Sequence, residues 1–346
     1  MFKIFEKYQF FWMIYTLIAV PLIALIATPL PYRMTSPAFV NNIKGFIQIE
    51  DAYDMEGGFY TTSVLSINRV TALQYLIAQF EDSVTLSEIP VSYERVDNKD
   101  LREMSYLMKD DSLQTSLIVG LTQIDIPVNY IHHQMIYLVY DYLEENTLEL
   151  GDYLLSVNGS SDFVTEFQQT ACSERAVITV ERDGEINDLS VLRQDLGDEG
   201  CLFGFRYGSF NELLDASINY QFIDTNVGGP SGGLLQSLYV FNSLTEKDYT
   251  YGLKIGGTGT IDIFGQVGYI GGVKQKIITA IRNNIDIFFV PHLSDDPNDD
   301  YIEALVAYEQ FDTEMKLVGV ATIEEAIAYL SQYEELAIEK TSNKCK

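Results

Sequence analysis

The chain has 346 residues, with 22 Lys and Arg against 50 Asp and Glu and a formal charge of −28. Hydrophobic residues at 47% and charged residues at 21% exclude a chain disordered throughout, and the length suits two or three modest domains. The acidic balance excludes a nucleic-acid binder, because phosphate backbones need clustered Lys and Arg, and three cysteines are too few for a disulfide scaffold.

No charged residue occurs from Tyr8 to Tyr32, and Phe10–Ala27 is almost wholly apolar. At about 1.5 Å per residue such a helix nearly crosses a hydrocarbon core of roughly 30 Å. Lys3 and Lys7 precede the run, Arg33 follows it, and Trp12 and Tyr15 suit an interface. The run is long for a signal peptide, although Ala24 and Ala27 keep cleavage open. A buried core helix fits poorly with Pro21, Pro29 and Pro31. Residues 1–33 are therefore expected to be a tail and an uncleaved N-terminal transmembrane helix, which makes the membrane a partner. The charge bias puts the N-terminus in the cytoplasm and the remainder outside as a single-pass cell-membrane protein. There Cys172 and Cys201 are free to pair or to stay reduced.

Residues 34–118 form an expected membrane-proximal α/β region. Phe46–Ile49 and Phe59–Leu65 read as strands and Ala72–Phe80 as a helix, while Asp97, Lys99, Asp100 and Arg102 read as a solvated linker or helix face.

Residues 119–197 are β-rich. Met135–Tyr140 reads as a buried strand, Tyr153–Val157 as another, Asn158-Gly159 as a hairpin turn, and Asp183-Gly184 as the turn between Ala176–Glu181 and Leu189–Leu192. Leu148 through Gly159 resembles the PDZ signature L-x-x-G-D-x-[IL]-L-x-V-N-G. The resemblance implies a PDZ-like domain that docks extended peptides as an added strand or guards the next domain. Tyr130–Gln134, in the place of the carboxylate-binding loop, has no glycine. His132 and His133 read as loop residues, and with His292 they make no metal-ligand spacing.

Residues 198–338 alternate strand and helix patterns. Asn226–Gly233 (N-V-G-G-P-S-G-G) precedes the apolar helical run Leu234–Leu244, so Ser231 sits near a helix N-terminus. By itself it is a helix cap or a nucleophile. Gly256–Thr260 lacks the Gly-Lys-Ser/Thr of a Walker A loop. Gly271-Gly272 opens a helix, Val273–Asn283, on which Lys274 and Lys276 face different ways; each is a surface lysine or one of them points inward. Ile285–Pro291 reads as a buried strand, and Tyr301–Phe311 and Ile323–Leu336 as helices, the last opened by a Thr322/Glu325 capping box. Residues 339–346 read as a tail, with Cys345 incidental.

The order G-G-P-S-G-G, G-T-G-T-I, G-x-V-G-x-I-G-G-x-x-x-K and I-D-I-F-F-V-P resembles the Lon protease proteolytic domain, closest to the membrane-anchored, PDZ-containing Lon-like proteases of Gram-positive bacteria. The resemblance implies an α+β protease domain in which Ser231 is the nucleophile and Lys276, 45 residues later, its base. It implies that Thr258 supports the dyad, and that Gly229, Pro230 and Gly232 form the turn and the oxyanion site. Gly228 stands where ATP-dependent relatives often carry Asp, and Gly232 where Ala is common. Physically, lysine serves as a base only when neutral, which burial on an apolar helix flank would secure.

The expected function is an ATP-independent cell-surface serine endopeptidase acting on flexible or secreted peptides and membrane-proximal segments, with signalling-peptide maturation a candidate. It needs no cofactor, metal or nucleotide, and the sequence fixes no oligomeric state. The alternative is a non-catalytic, membrane-anchored PDZ peptide-binding scaffold.

Overall fold

The computed structural model describes residues 2–90, 93, 96–140, 147–195 and 200–344. Helix α1 (Phe2–Ala27) leads into β1 (Tyr32–Asn42), β2 (Ile47–Ile49), β3 (Gly58–Asn68), α2 (Ala72–Ala78), β4 (Thr85–Glu88) and the long α3 (Asn98–Thr122). Among the described residues no helix is long and apolar enough to cross a membrane. This overturns the expected transmembrane anchor and the single-pass topology built on it. Helix α1 has 26 residues, but Lys3, Glu6 and Lys7 occupy its first turns and Pro21, which cannot donate a backbone hydrogen bond, lies inside it. The chain after α1 returns to α2, with Leu30 N–H donating to Val70 O at 2.8 Å and Ala72 N–H to Thr28 O at 3.1 Å.

The middle of the chain builds an antiparallel five-stranded sheet. Its elements are β5 (Val128–Val139), β6 (Tyr153–Val157), α4 (Phe163–Gln169), β7 (Arg175–Arg182), β8 (Glu185–Leu192), the short pair β9 (Gln194–Asp195) and β10 (Cys201–Leu202), and β11 (Phe205–Ala216). The strand order is β11-β5-β6-β7-β8, around a core that includes Ile136, Leu154, Ile178 and Val191. Asp152, 1% exposed, is held by a two-point ion pair from Arg182 at 2.6 and 2.7 Å, so its buried charge is met. One expectation is corrected here. Tyr130–Gln134, with His132 and His133, is strand rather than loop: it lies in β5, opposite Asn211 and Glu212 of β11. Asn158-Gly159 makes the expected tight turn, with φ of +50° and +79° and Val157 and Ser160 bonded to each other across it at 2.9 Å. The chain then enters α4, and β6 pairs with β7 beyond that helix. Of the two readings of Asp97–Arg102, the structure has the helix: these residues open the 25-residue α3, with Asp97 as its cap. Cys172 and Cys201 form a disulfide that joins the end of α4 to β10.

The remainder is β12 (Tyr220–Phe222), α5 (Gly233–Ser243), β13 (Lys254–Gly257), β14 (Thr260–Ile261), β15 (Val267–Gly268), α6 (Val273–Arg282), β16 (Ile287–Pro291), α7 (Asp300–Tyr308), β17 (Lys316–Val320) and α8 (Ile323–Lys344). Helix α8 runs past the expected tail boundary, and Cys345 lies outside the described residues. Glu325 accepts from Ala321 N–H, one residue before the expected capping partner.

A six-stranded sheet of order β17-β16-β13-β3-β1-β4 joins strands from residues 32–88 to strands from residues 254–320. β17, β16, β13 and β3 run parallel, and β3, β1 and β4 alternate in direction. Both faces are covered, so β16 is buried along its whole length. Ile287 and Phe289 pack under α3, α5 and α8, while Phe288 and Val290 pack under α6 and α7. The site lies where these two layers meet beyond the end of β13.

Candidate active site

The serine turn is built from the α5 side. Gly229 has φ +91°, a left-handed angle that suits glycine, and its N–H donates to Ser105 O on α3 at 2.8 Å. A Cβ on Gly228 would meet the Ser105 side chain, which explains why no Asp stands there. Pro230 O accepts from Ser112 Oγ at 3.0 Å, and Gln236 Oε1, 3% exposed, takes the Ser112 and Ser116 hydroxyls at 3.1 and 3.0 Å. Helix α3 therefore braces the turn. Ser231 is not a cap: α5 begins behind Gly232 without a side-chain cap bond.

The lysine comes from the α6 side. Val273, Lys276, Ile277 and Ala280 share the buried stripe of α6, so Lys276 is 3% exposed, whereas Lys274 is half-exposed. Two residues turn the helix by about 200°, which separates the two amines. Lys276 Nζ donates to Ser231 Oγ at 2.9 Å and to Thr258 Oγ1 at 2.9 Å. Thr258 is fully buried directly after β13, its N–H donating to Phe289 O at 2.9 Å, and its hydroxyl donates to Ser231 O at 3.1 Å. Gly259 N–H donates to the same carbonyl at 2.9 Å. Burial lowers the Lys276 amine from 10.5 to about 7, against a smaller opposing effect of the Asp300 carboxylate. Asp300 is itself pushed up to about 6 by burial, and it accepts Ile270 N–H at 2.8 Å.

Ser231, Thr258 and Lys276 are thus brought together, and Gly229, Pro230 and Gly232 shape the turn. With its N–H committed to Ser105, Gly229 belongs to the turn, while the amides of Ser231 and Gly232 take no partner among the described residues. Ser231 and Lys276 line a cleft of about 840 Å³ walled by Phe39, Phe46, Val64, Met108 and Val227. A serine hydroxyl beside an amine that burial lowers to about 7 is an arrangement suited to nucleophile–base chemistry.

Residues 224–331 match the Lon protease (S16) C-terminal proteolytic domain. The matched stretch contains Ser231, Thr258 and Lys276. Lon protease of Mesomycoplasma hyopneumoniae (strain 232) is 28% identical over 126 residues, 33% of this chain and 14% of that protein. Lon protease of Aster yellows witches'-broom phytoplasma (strain AYWB) is 38% identical over 63 residues, 18% of this chain and 8% of the relative. That of Ureaplasma parvum serovar 3 is 34% identical over 90 residues, 26% and 11%. The Lon-like stretch therefore spans only a small part of each relative.

Sequence reasoning missed Ser105, Ser112, Ser116 and Gln236. The available signal was the recurrence of small residues at Ser112, Ser116 and Gly120, four apart, which marks a face for close helix packing.

Proposed function

We propose that the protein is an endopeptidase whose Ser231 and Lys276 act as a catalytic dyad on flexible peptides. The single observation carrying this reading is the buried Lys276 amine 2.9 Å from Ser231 Oγ. A neutral amine has two protons and one lone pair. The Thr258 proton is directed to Ser231 O, so Thr258 accepts from Lys276, and the lone pair is left for the serine proton. Lys276 takes that proton as Oγ attacks the peptide carbonyl carbon, and the Ser231 and Gly232 amides receive the oxyanion. The ammonium then protonates the leaving amine. Water repeats the sequence on the acyl-enzyme, with Lys276 again as base. None of these steps consumes a nucleotide, so short flexible peptides are cut without ATP. We further infer that the five-stranded sheet, whose Leu148–Gly159 segment carries the PDZ-like pattern, docks extended peptide substrates for the cleft. A purely binding scaffold would have no use for a buried amine against a serine hydroxyl.

The test is to offer unstructured peptides to the full chain without nucleotide and to label it with a fluorophosphonate. Cleavage and a single adduct on Ser231 are expected; labelling elsewhere, with no cleavage, would sink the reading.

The pH profile follows from the same site. With Lys276 at about 7, kcat/KM should fall about tenfold per unit below that pH, as the base becomes protonated. The Asp300 carboxylate favours the ammonium, so Asp300→Asn should move this limb to lower pH. A pH–rate profile of both proteins checks the sign, and an upward shift would contradict it.

A further inference from the structure

Strand β3 passes between the two halves of the site, and its side chains alternate between the layers. Phe59 packs with α5 and Tyr60 with α6. Thr61 follows Phe59: its Oγ1 lies 3.4 Å from where a Cβ on Gly232 would sit. Val64 follows Tyr60: its Cγ1 lies 3.0 Å from a Cβ built on Gly272, the residue before α6. Thr62, between Tyr60 and Val64 in this alternation, shares the face that receives Lys276.

Thr62 is 2% exposed and lines the cleft, yet its Oγ1 has no hydrogen-bond partner among the described residues. Its neighbour Ser63 does not share this condition, since the Ser63 hydroxyl donates to Phe39 O at 3.2 Å. A buried hydroxyl left unpaired is destabilising, and native structures rarely keep one without a use. An extended peptide over Ser231 brings an N–H and a C=O with every residue. In a cleft walled largely by apolar side chains those groups need partners, and a hydroxyl serves either kind.

We propose that Thr62 Oγ1 is a substrate-binding group, hydrogen-bonding the peptide main chain beside the bond presented to Ser231. This rests on the reading of Ser231 and Lys276 as the dyad. Thr62 supplies to the peptide the bond it lacks within the chain, and fixes the register of the scissile carbonyl.

The test uses the full-length protein with Thr62→Val, which keeps the shape and removes the hydroxyl, and Thr62→Ser, which keeps the hydroxyl. For Thr62→Val the expected result is a fall of about tenfold in kcat/KM, carried by KM. Its thermal midpoint should equal or exceed that of the starting protein, because an unpaired polar group has left the interior. Thr62→Ser should restore most of the activity. Peptide affinity of Ser231→Ala, measured by anisotropy, should fall by the same factor when Thr62→Val is added. Unchanged kcat/KM and affinity would overturn the proposal, as would a loss confined to kcat, which would assign the hydroxyl to the amine or to water. A lowered midpoint without rescue by Ser would make Thr62 structural. If the starting protein cleaves nothing but the affinity loss is found, the dyad reading falls and the Thr62 contact stands. If Ser231→Ala binds no peptide, the contact falls.

Discussion

Lys276→Met abolishes peptide cleavage and leaves a more heat-stable protein: that paired outcome is expected of a base held neutral by burial. Without the amine, Ser231 has no proton acceptor within reach, so turnover should fall by about a thousandfold or more, as for Ser231→Ala. The stability gain has a definite sign. The native amine titrates at about 7 and the unfolded one near 10.5, so between these values the unfolded chain holds a proton that the native chain has lost. Stability of the starting protein therefore rises with pH across that window, and the cost of the buried charge is fully present below it. Met removes the cost, so the gain in melting temperature should be larger at pH 6 than at pH 9. Lys274→Gln should keep most activity, because the Lys274 side chain lies off the buried stripe. If Lys276→Met keeps a tenth of the activity, the dyad is wrong. If it is inactive but less stable at every pH, Lys276 is a packing residue.

The second large effect is expected at Gly257, where the obstacle is steric. β13 lies between β3 and β16, hydrogen-bonded on both sides. A Cβ on Gly257 would stand 2.5 Å from Leu235 Cδ2, 2.8 Å from Phe289 O and 3.1 Å from Phe289 Cβ. Leu235 can move; the carbonyl of a paired strand cannot without breaking the ladder. Gly257→Ala should cost about 1–3 kcal/mol in urea unfolding. It should also reduce turnover more than tenfold, because the next residue is Thr258. Gly271→Ala is the control: a Cβ there has open space, so it should be close to silent. Native-like stability of Gly257→Ala would show that the sheet has slack at this junction.

Much of the local structure was legible. A strand pattern marked β3, the apolar run from Met135 marked the second half of β5, helical patterns marked α5 and α6, and Asp183-Gly184 marked the β7–β8 turn, with φ of +53° and +78°. Neither Ser231 nor Lys276 could be recognised singly, since a serine after glycines and a lysine in a helix are both ordinary. Their motifs in series carried the reading. The union of β3 with β13 had no local signature, because parallel pairing is specified by packing on both faces and not by a turn. Helix α3 was obscured by its Ser and Thr residues, which look polar in sequence, although Ser112 and Ser116 spend their hydroxyls on the serine turn and the start of α5. Thr62 was invisible for the same reason: one of two adjacent threonines in a strand, distinguished from Thr61 only by the layer it faces. The apolar N-terminal run misled because composition by residue does not by itself make a spanning helix.

The pairing of β3 with β13 also sets when the site can exist. Gly57 and Thr250, which hydrogen-bond beside that junction, are 193 residues apart in the chain. The early hairpin of β1 and β3 has no parallel neighbour until β13 has been made, and α6 follows later still. A growing chain therefore carries the serine turn before Lys276, its proposed base. Closure of so long a loop is slow compared with local helix formation. On the proposed dyad, hydrolytic competence is in this way tied to completion of the domain, so that a partly synthesised chain would hold its nucleophile without its base.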